Sequence, residues 1–217
     1  MNVKNPKKKS VRGRGRPTNE ESRQLDELLV NRALELFLER GYDGVSMEAI
    51  ADSVGISKRT LYLRYEDKSK LFVEALRWSM KEWFSFPHPV KPGQDFESAL
   101  YLAAEALLKQ SLTPRYIRLG RVAAAQAEAF PHEVGKNYNM SFSPRVEVIS
   151  ELLLAYADEL DEACLENTKV TAELFVGLIS GVPARLASFG TIRSEEFEKE
   201  RIKLAVEIFL KGVRKAP

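Results

Sequence analysis

Lys58, Arg59, Thr60, Tyr62 and Arg64 crowd into seven consecutive positions of this chain. Their side chains suit one kind of partner. A guanidinium donates two parallel hydrogen bonds to the O6 and N7 edge of guanine, and a threonine methyl meets the thymine methyl. An ammonium or a phenol hydroxyl bonds phosphate oxygens, which fix register without reading sequence. Lys58 and Arg59 stand at the start of the segment, the end of a recognition helix that lies closest to base edges. The chemistry on offer is therefore contact with a nucleic-acid duplex through its major groove.

Such a helix must be held, and the flanking residues supply the means. Ser46 starts a short helix whose inward face is Met47, Ile50, Ala51 and Val54. Gly55 is placed to take the left-handed conformation of a tight turn. Ser57 then caps the recognition helix, in which Leu61 is the inward anchor. Ser46 and Ser57 keep two roles open, capping and a hydroxyl offered to phosphate. Arg64 also keeps two, a backbone clamp if it faces the groove and a solvated charge if it does not. Tyr65 reads as a ring packed between helices. Two short helices at this spacing make a helix-turn-helix.

Upstream, Thr18 and Glu21 form a capping box, and Leu25, Leu28, Leu29, Ala33, Leu36 and Phe37 recur at helical spacing up to Gly41. Downstream, Asp67 caps a longer helix carrying Leu71, Phe72, Ala75, Leu76, Trp78, Met80 and Trp83. Residues 86–93 hold three prolines and a glycine, which break it. Helical patterns follow over 96–112, 114–130, 131–160 with an interruption near 141–144, 165–189 and 194–213. No alternating strand pattern occurs. The expected architecture is all-α, an N-terminal three-helix bundle with the helix-turn-helix plus a larger helical domain. The boundaries are a basic arm at 1–17, a DNA-binding domain at 18–72 and a second helical domain at 73–217.

Charge supports this division. The net charge is only +2, yet residues 1–16 contain Lys4, Lys7, Lys8, Lys9, Arg12, Arg14 and Arg16 without one acid. Arg14 and Arg16 alternate with glycine, a pattern that fits an extended arm in a narrow minor groove or a passive basic tail. Cys164 is alone, so no intrachain disulfide forms and a reducing compartment fits. His88 and His132 lack partners at metal-ligand spacing, so neither metal nor cofactor is expected. No nucleophile–base pair, phosphate-cradling loop or paired carboxylate marks an enzyme. No signal peptide is legible, and no apolar run nears the roughly 18 residues of a membrane span. The expectation is a soluble cytoplasmic protein.

These residues resemble the TetR family of bacterial transcriptional regulators. The likeness covers roughly 15–72 and is carried by Glu39-Arg40-Gly41-Tyr42, Ala51 with Val54-Gly55-Ile56-Ser57, Thr60-Leu61-Tyr62, Tyr65, and Lys68 with Leu71-Phe72. Arg121 and Glu128-Ala129-Phe130-Pro131 look like the AefR-like branch. Arg59 and the run Leu63-Arg64-Tyr65 depart from the common family pattern, so the operator is expected to differ.

The resemblance implies that Tyr62 and Lys68 bind phosphate and that the protein is a homodimer on a near-palindromic operator. It also implies a small-molecule effector that releases the DNA. Candidate pocket residues are Trp83, Tyr101, Tyr116, Leu119, Phe130, Tyr138, Phe142 and Phe175, with Arg118, Arg121 and Glu128 spaced to meet a polar group or to pair on the surface. Candidate dimer residues are Gly177, Gly181 and Ala184 on one helix, with Phe197, Val206, Phe209 and Leu210 on the last; the intrachain core is the other destination for both stripes and is expected to claim part of each. Pro183 is expected to bend the former helix. A regulator without an effector pocket, whose second domain only dimerises or recruits a protein, is the other reading.

Overall fold

The computed structural model describes residues 19–83 and 93–215, excepting the side chains of 80–83 and 133–143. Thr18, Arg14, Arg16 and the side chains of Trp83, Tyr138 and Phe142 lie outside the described residues. Every named element is helical, and the only strand-like pairing among the described residues is a single bridge between Leu160 and Arg214.

Helix α1 (Asn19–Arg40), α2 (Met47–Val54), α3 (Lys58–Tyr62) and the first turns of α4 (Lys68–Trp83) enclose the first core. Leu29, Ala33 and Phe37 on α1 share one face and are fully buried. They meet Ile50 of α2, Leu61 of α3, and Leu71 and Phe72 of α4, all at most 1% exposed. Each large apolar side chain so buried contributes roughly 1.5–3 kcal/mol of transfer free energy. Between α1 and α2 the chain folds back so tightly that a Cβ on Gly44 would collide with the Arg40 carbonyl oxygen.

The second core is built by α5 (Phe96–Ser111), α7 (Pro131–Ala155), α9 (Thr168–Val176) and α11 (Glu195–Val213), with α6 (Pro114–Ala125), the short α8 (Glu162–Glu166) and α10 (Val182–Ser188) completing the domain. Two helix boundaries differ from the sequence reading. Helix α7 runs unbroken through Pro144. A helix-interior proline costs about 3 kcal/mol by removing one hydrogen bond, and the buried Val146, Ile149, Leu152 and Leu153 that follow hold the helix together. It ends at Ala155, short of 160, in a 3-10 turn at Ala157–Glu159. The segment expected over 165–189 divides at Asn167 into α8 and α9.

From Thr168 to Ser188 the helix is continuous but changes pitch, passing through a π turn at Gly177–Gly181 just before Pro183. Pro183 has no N–H to give the Ile179 carbonyl. Arg201 of α11 replaces it, donating Nη2 to Ile179 O at 2.5 Å and Nη1 to Leu178 O at 3.0 Å. Its Nε is held at 2.6 Å by Glu198, a carboxylate only 4% exposed. This stretch also corrects the reading on apolar length. By length and composition Thr168–Ser188 suffices to cross a membrane, with mean hydropathy 1.4 over its best window. Lys169, Glu173 and Arg185 interrupt any contiguous apolar run, which hid the fact in the sequence, and 44% of the window is buried in the protein.

Packing divides the candidate dimer and pocket residues between the two cores and the surface. On α11, Val206, Phe209 and Leu210 belong to the domain's own core, whereas Phe197, Leu204 and Ile208 project outward at 51%, 57% and 55% exposure. Leu174, Leu178 and Val182 are exposed at i, i+4 spacing beside Gly177 and Gly181, with Ala184 half-buried near them. Among the pocket candidates, Phe175 is fully buried, its ring 4.7 Å from that of Phe209. Tyr101 packs on the same core. Leu119 and Phe130 instead join the first core, where the Phe130 ring lies 5.5 Å from Tyr42 and 6.0 Å from Phe72. With Arg115 ion-paired with Glu35 at 3.4 Å, they make a joint between the two domains.

Candidate nucleic-acid interface

The helix-turn-helix is fixed by its caps. Ser46 accepts a hydrogen bond from Ala49 N at 3.1 Å, and Gly55 ends α2 at φ 75°, the left-handed region that glycine occupies without strain. Ser57 caps α3 by accepting from Thr60 N at 3.1 Å, and its hydroxyl also bonds that of Thr60 at 2.8 Å. Each such cap is worth about 1 kcal/mol. Leu61 is then driven into the core, which turns the other side of α3 to solvent.

On that outward side are Lys58, Arg59, Tyr62 and Leu63. Arg59 is exposed and makes no hydrogen bond or ion pair among the described residues. Lys58 pairs with Glu48 of α2 and lies 5.7 Å from the centre of the Tyr62 ring. The hydrogen bond between them holds the Glu48 carboxyl below its ordinary range and the Lys58 ammonium above its own. Tyr62 is 42% exposed and Leu63 78%. Leu63 escaped the sequence reading. Its signal was available: Leu61 already anchors α3, and a residue two positions on faces away from it.

Arg64 and Lys68 are turned inward. Arg64 is directed to α1, where Nη1 donates to Asp26 at 2.6 Å and to the Ser22 hydroxyl at 3.3 Å, and its side chain is 19% exposed. It is neither a groove-facing clamp nor a solvated charge. The pull of a partly buried carboxylate outweighs solvation and locks the end of α3 to α1. Lys68 donates to Tyr42 O at 3.0 Å and Val45 O at 3.1 Å, with its ammonium 4.2 Å from the centre of the Tyr42 ring. Two of its three N–H groups thereby brace the turn that leads into α2. Tyr65 is packed as expected, and burial pushes its hydroxyl up to about 12.

In the second domain Arg121 caps the C-terminal end of α10, donating to Ser188 O at 2.6 Å and Ala187 O at 2.9 Å. Tyr116 lines a cleft of about 720 Å3 with Arg145, Glu173, Leu174, Gly177, Leu178, Ser180, Gly181 and Ala184. Arg145 is a second residue that the sequence reading missed. It falls four residues before Ile149 on the apolar stripe of α7, and a charge on such a stripe was the signal. Among the described residues no group of three His, Cys, Asp or Glu is placed to hold a metal ion.

A capped two-helix unit presenting cations and a phenol outward, joined to a larger helical domain, defines a helix-turn-helix DNA-binding protein. The profile of the bacterial regulatory proteins of the tetR family matches residues 29–75, and that of the AefR-like transcriptional repressor C-terminal domain matches residues 98–212. The chain therefore belongs to the TetR family of regulators, in its AefR-like branch.

Relatives agree with this. Over 58 residues the chain is 34% identical to the biofilm operon icaADBC HTH-type negative transcriptional regulator IcaR of Staphylococcus epidermidis, covering 27% of this chain and 29% of that protein. IcaR of Staphylococcus aureus strain Newman is 35% identical over 49 residues, 23% of this chain and 26% of that one. The chain thus spans less than a third of the length of these curated relatives. A TetR-family regulator from Mesorhizobium loti MAFF303099 shares the fold at TM-score 0.78 and 24% identity, over 92% of this chain and 100% of that one. The flavonoid-responsive regulator FrrA does so at 0.71 and 24%, over 89% and 99%.

Proposed function

We propose that the protein is a homodimeric, sequence-specific transcriptional repressor that a small-molecule effector releases from a near-palindromic operator. The observation that carries this reading is the outward face of α3, where Arg59 is exposed and unpaired among the described residues beside Lys58, Tyr62 and Leu63. Arg59 reads a guanine, Leu63 contacts a thymine methyl or a sugar, and Lys58 and Tyr62 hold phosphates. One helix of this length gives too little discrimination for a genome, since each base contact is worth about 1–3 kcal/mol. A dimer doubles the contacts. The exposed Leu174, Leu178 and Val182 of α9–α10 and Phe197, Leu204 and Ile208 of α11 offer the surface for it.

Release works through the joint. Helix α6 carries Tyr116 in the cleft, and it carries Leu119 and Arg115 against the DNA-binding domain. A ligand that favours one position of α6 shifts α1 and α4, and with them the spacing of the two recognition helices. The close packing of Phe175, Leu119 and Phe130 favours the other reading, a regulator that only dimerises. The cleft beside Tyr116 speaks against it.

Selection of random duplex DNA on the purified protein, followed by footprinting, tests the proposal. Two inverted half-sites with centres about 10 base pairs apart, or a multiple of that, are expected. Enrichment of no sequence over bulk DNA would overturn it.

A further inference from the structure

Helix α3 sets its side chains at fixed angles, because each residue of an α-helix turns about 100° from the last. Leu61 is fully buried in the first core. The direction opposite to it falls between Arg59 and Leu63, about 20° from each. Lys58 and Tyr62 lie together on one side, about 120° and 80° from that direction. A hydrogen bond from Leu63 N to Arg59 O at 3.0 Å keeps the two central residues one helical turn apart. Leu63 is 78% exposed, and Arg59 beside it is exposed and unpaired among the described residues. The centre of the outward face is thus one cation and one isobutyl group. Thr60, the other residue of α3 with a methyl to offer, is half-buried, and its hydroxyl bonds that of Ser57 at 2.8 Å.

Resting on the reading of the protein as a sequence-specific DNA binder, we propose that Leu63 reads the C5-methyl group of a thymine within two base pairs of the guanine that Arg59 contacts. Side chains at the centre of a recognition face reach the floor of the major groove, where the thymine methyl is the apolar group that a base edge displays. Those at the flank meet the sugar–phosphate wall, and Lys58 and Tyr62 stand there. Leu63 has no side-chain donor or acceptor, so a phosphate oxygen offers it nothing. Pairing with Glu48 further keeps the Lys58 ammonium from competing for the same bases. Four residues of helix advance about 6 Å, which is roughly two steps of stacked base pairs. That rise sets the spacing of the two bases. Each half-site therefore carries a guanine read by charge and hydrogen bonding and a thymine read by shape.

The test uses the full chain and the operator obtained by selection, with each thymine in turn replaced by deoxyuridine, which pairs identically but lacks the methyl. One position in each half-site is expected to lose roughly fourfold in affinity, the transfer free energy of one methyl-sized group. It should lie within two base pairs of the guanine whose replacement no longer matters to Arg59→Ala. Leu63→Ala, a change at an exposed position, should bind the thymine and deoxyuridine operators alike. Exchanging that thymine·adenine pair for cytosine·guanine should weaken the unsubstituted protein, and 5-methylcytosine at the same place should restore part of the loss. Tolerance of deoxyuridine at every position, or a penalty that persists in Leu63→Ala, would overturn the assignment while leaving a sequence-specific regulator. Selection of no operator would overturn the assignment together with that reading.

Discussion

Arg59 and Tyr62 stand on the same outward face of α3 but are suited to different tasks. A bidentate base contact discriminates between sequences, whereas a phenol on phosphate does not. Arg59→Ala should therefore cost about 1–3 kcal/mol on the selected operator and little on random duplex. Tyr62→Phe should weaken both alike, by about 0.5–1.5 kcal/mol. Anisotropy titrations with the two duplexes separate these outcomes, and equal loss on both for Arg59→Ala would remove it as a base reader. Glu48 acts the other way. It occupies the Lys58 ammonium and puts a carboxylate beside the expected phosphate path. Glu48→Gln is expected to raise affinity for any duplex by a few-fold, more at low salt because exposed charges are screened. The lowered pKa of this carboxyl keeps it ionised to below the ordinary range, so the competition persists throughout the neutral and mildly acidic region.

At the scale of elements, the π turn in α9–α10 and the facing side of α11 are one construction. Pro183 leaves the Ile179 carbonyl without a helical donor, and Arg201 supplies one while pairing with buried Glu198. Removing the guanidinium strands two carbonyls and leaves that carboxylate, among the described residues, with only Arg193, 3.8 Å away. Arg201→Met is expected to destabilise by roughly 3–5 kcal/mol, the usual cost of breaking a buried pair. Adding Glu198→Gln should recover part of it, since the two groups are coupled. Urea unfolding of the single and double variants decides this; simple additivity would show that the pair is not the source of stability.

For the whole molecule, the exposed apolar stripe on α9–α10 and α11 is the feature without an intrachain purpose. Leu204 is 57% exposed and contributes little to the protomer's own core. Leu204→Glu should leave the helical content unchanged yet place two like charges in a dimer seam. The expected result is a shift to monomer in sedimentation equilibrium with loss of operator binding, since half-site affinity alone is too weak. A dimer of unchanged stability would direct the search for the interface to another face.

The DNA-binding half was legible in the sequence because its signals are local. Ser46, Gly55 and Ser57 act on the backbone within three residues of themselves, and Leu61 follows from helical periodicity. The family resemblance rested on the same segment. Side-chain destinations were not local. Arg64 is bound by Asp26, 38 residues away, and Lys68 by carbonyls more than twenty residues upstream, so the chain order could not separate outward cations from bracing ones. Periodicity likewise found the apolar residues of α11 but not which of two adjacent stripes meets α5, because an amphipathic helix with apolar residues on both sides has no preferred rotation until its neighbours are in place. Only the tertiary structure sent Val206, Phe209 and Leu210 inward and Leu204 and Ile208 outward, and brought Arg145 beside Tyr116 at the cleft. Sequence determined the elements and caps of the DNA-binding half, whose causes lie within a turn or two of the chain. Tertiary packing decided which face of each element is left for a partner.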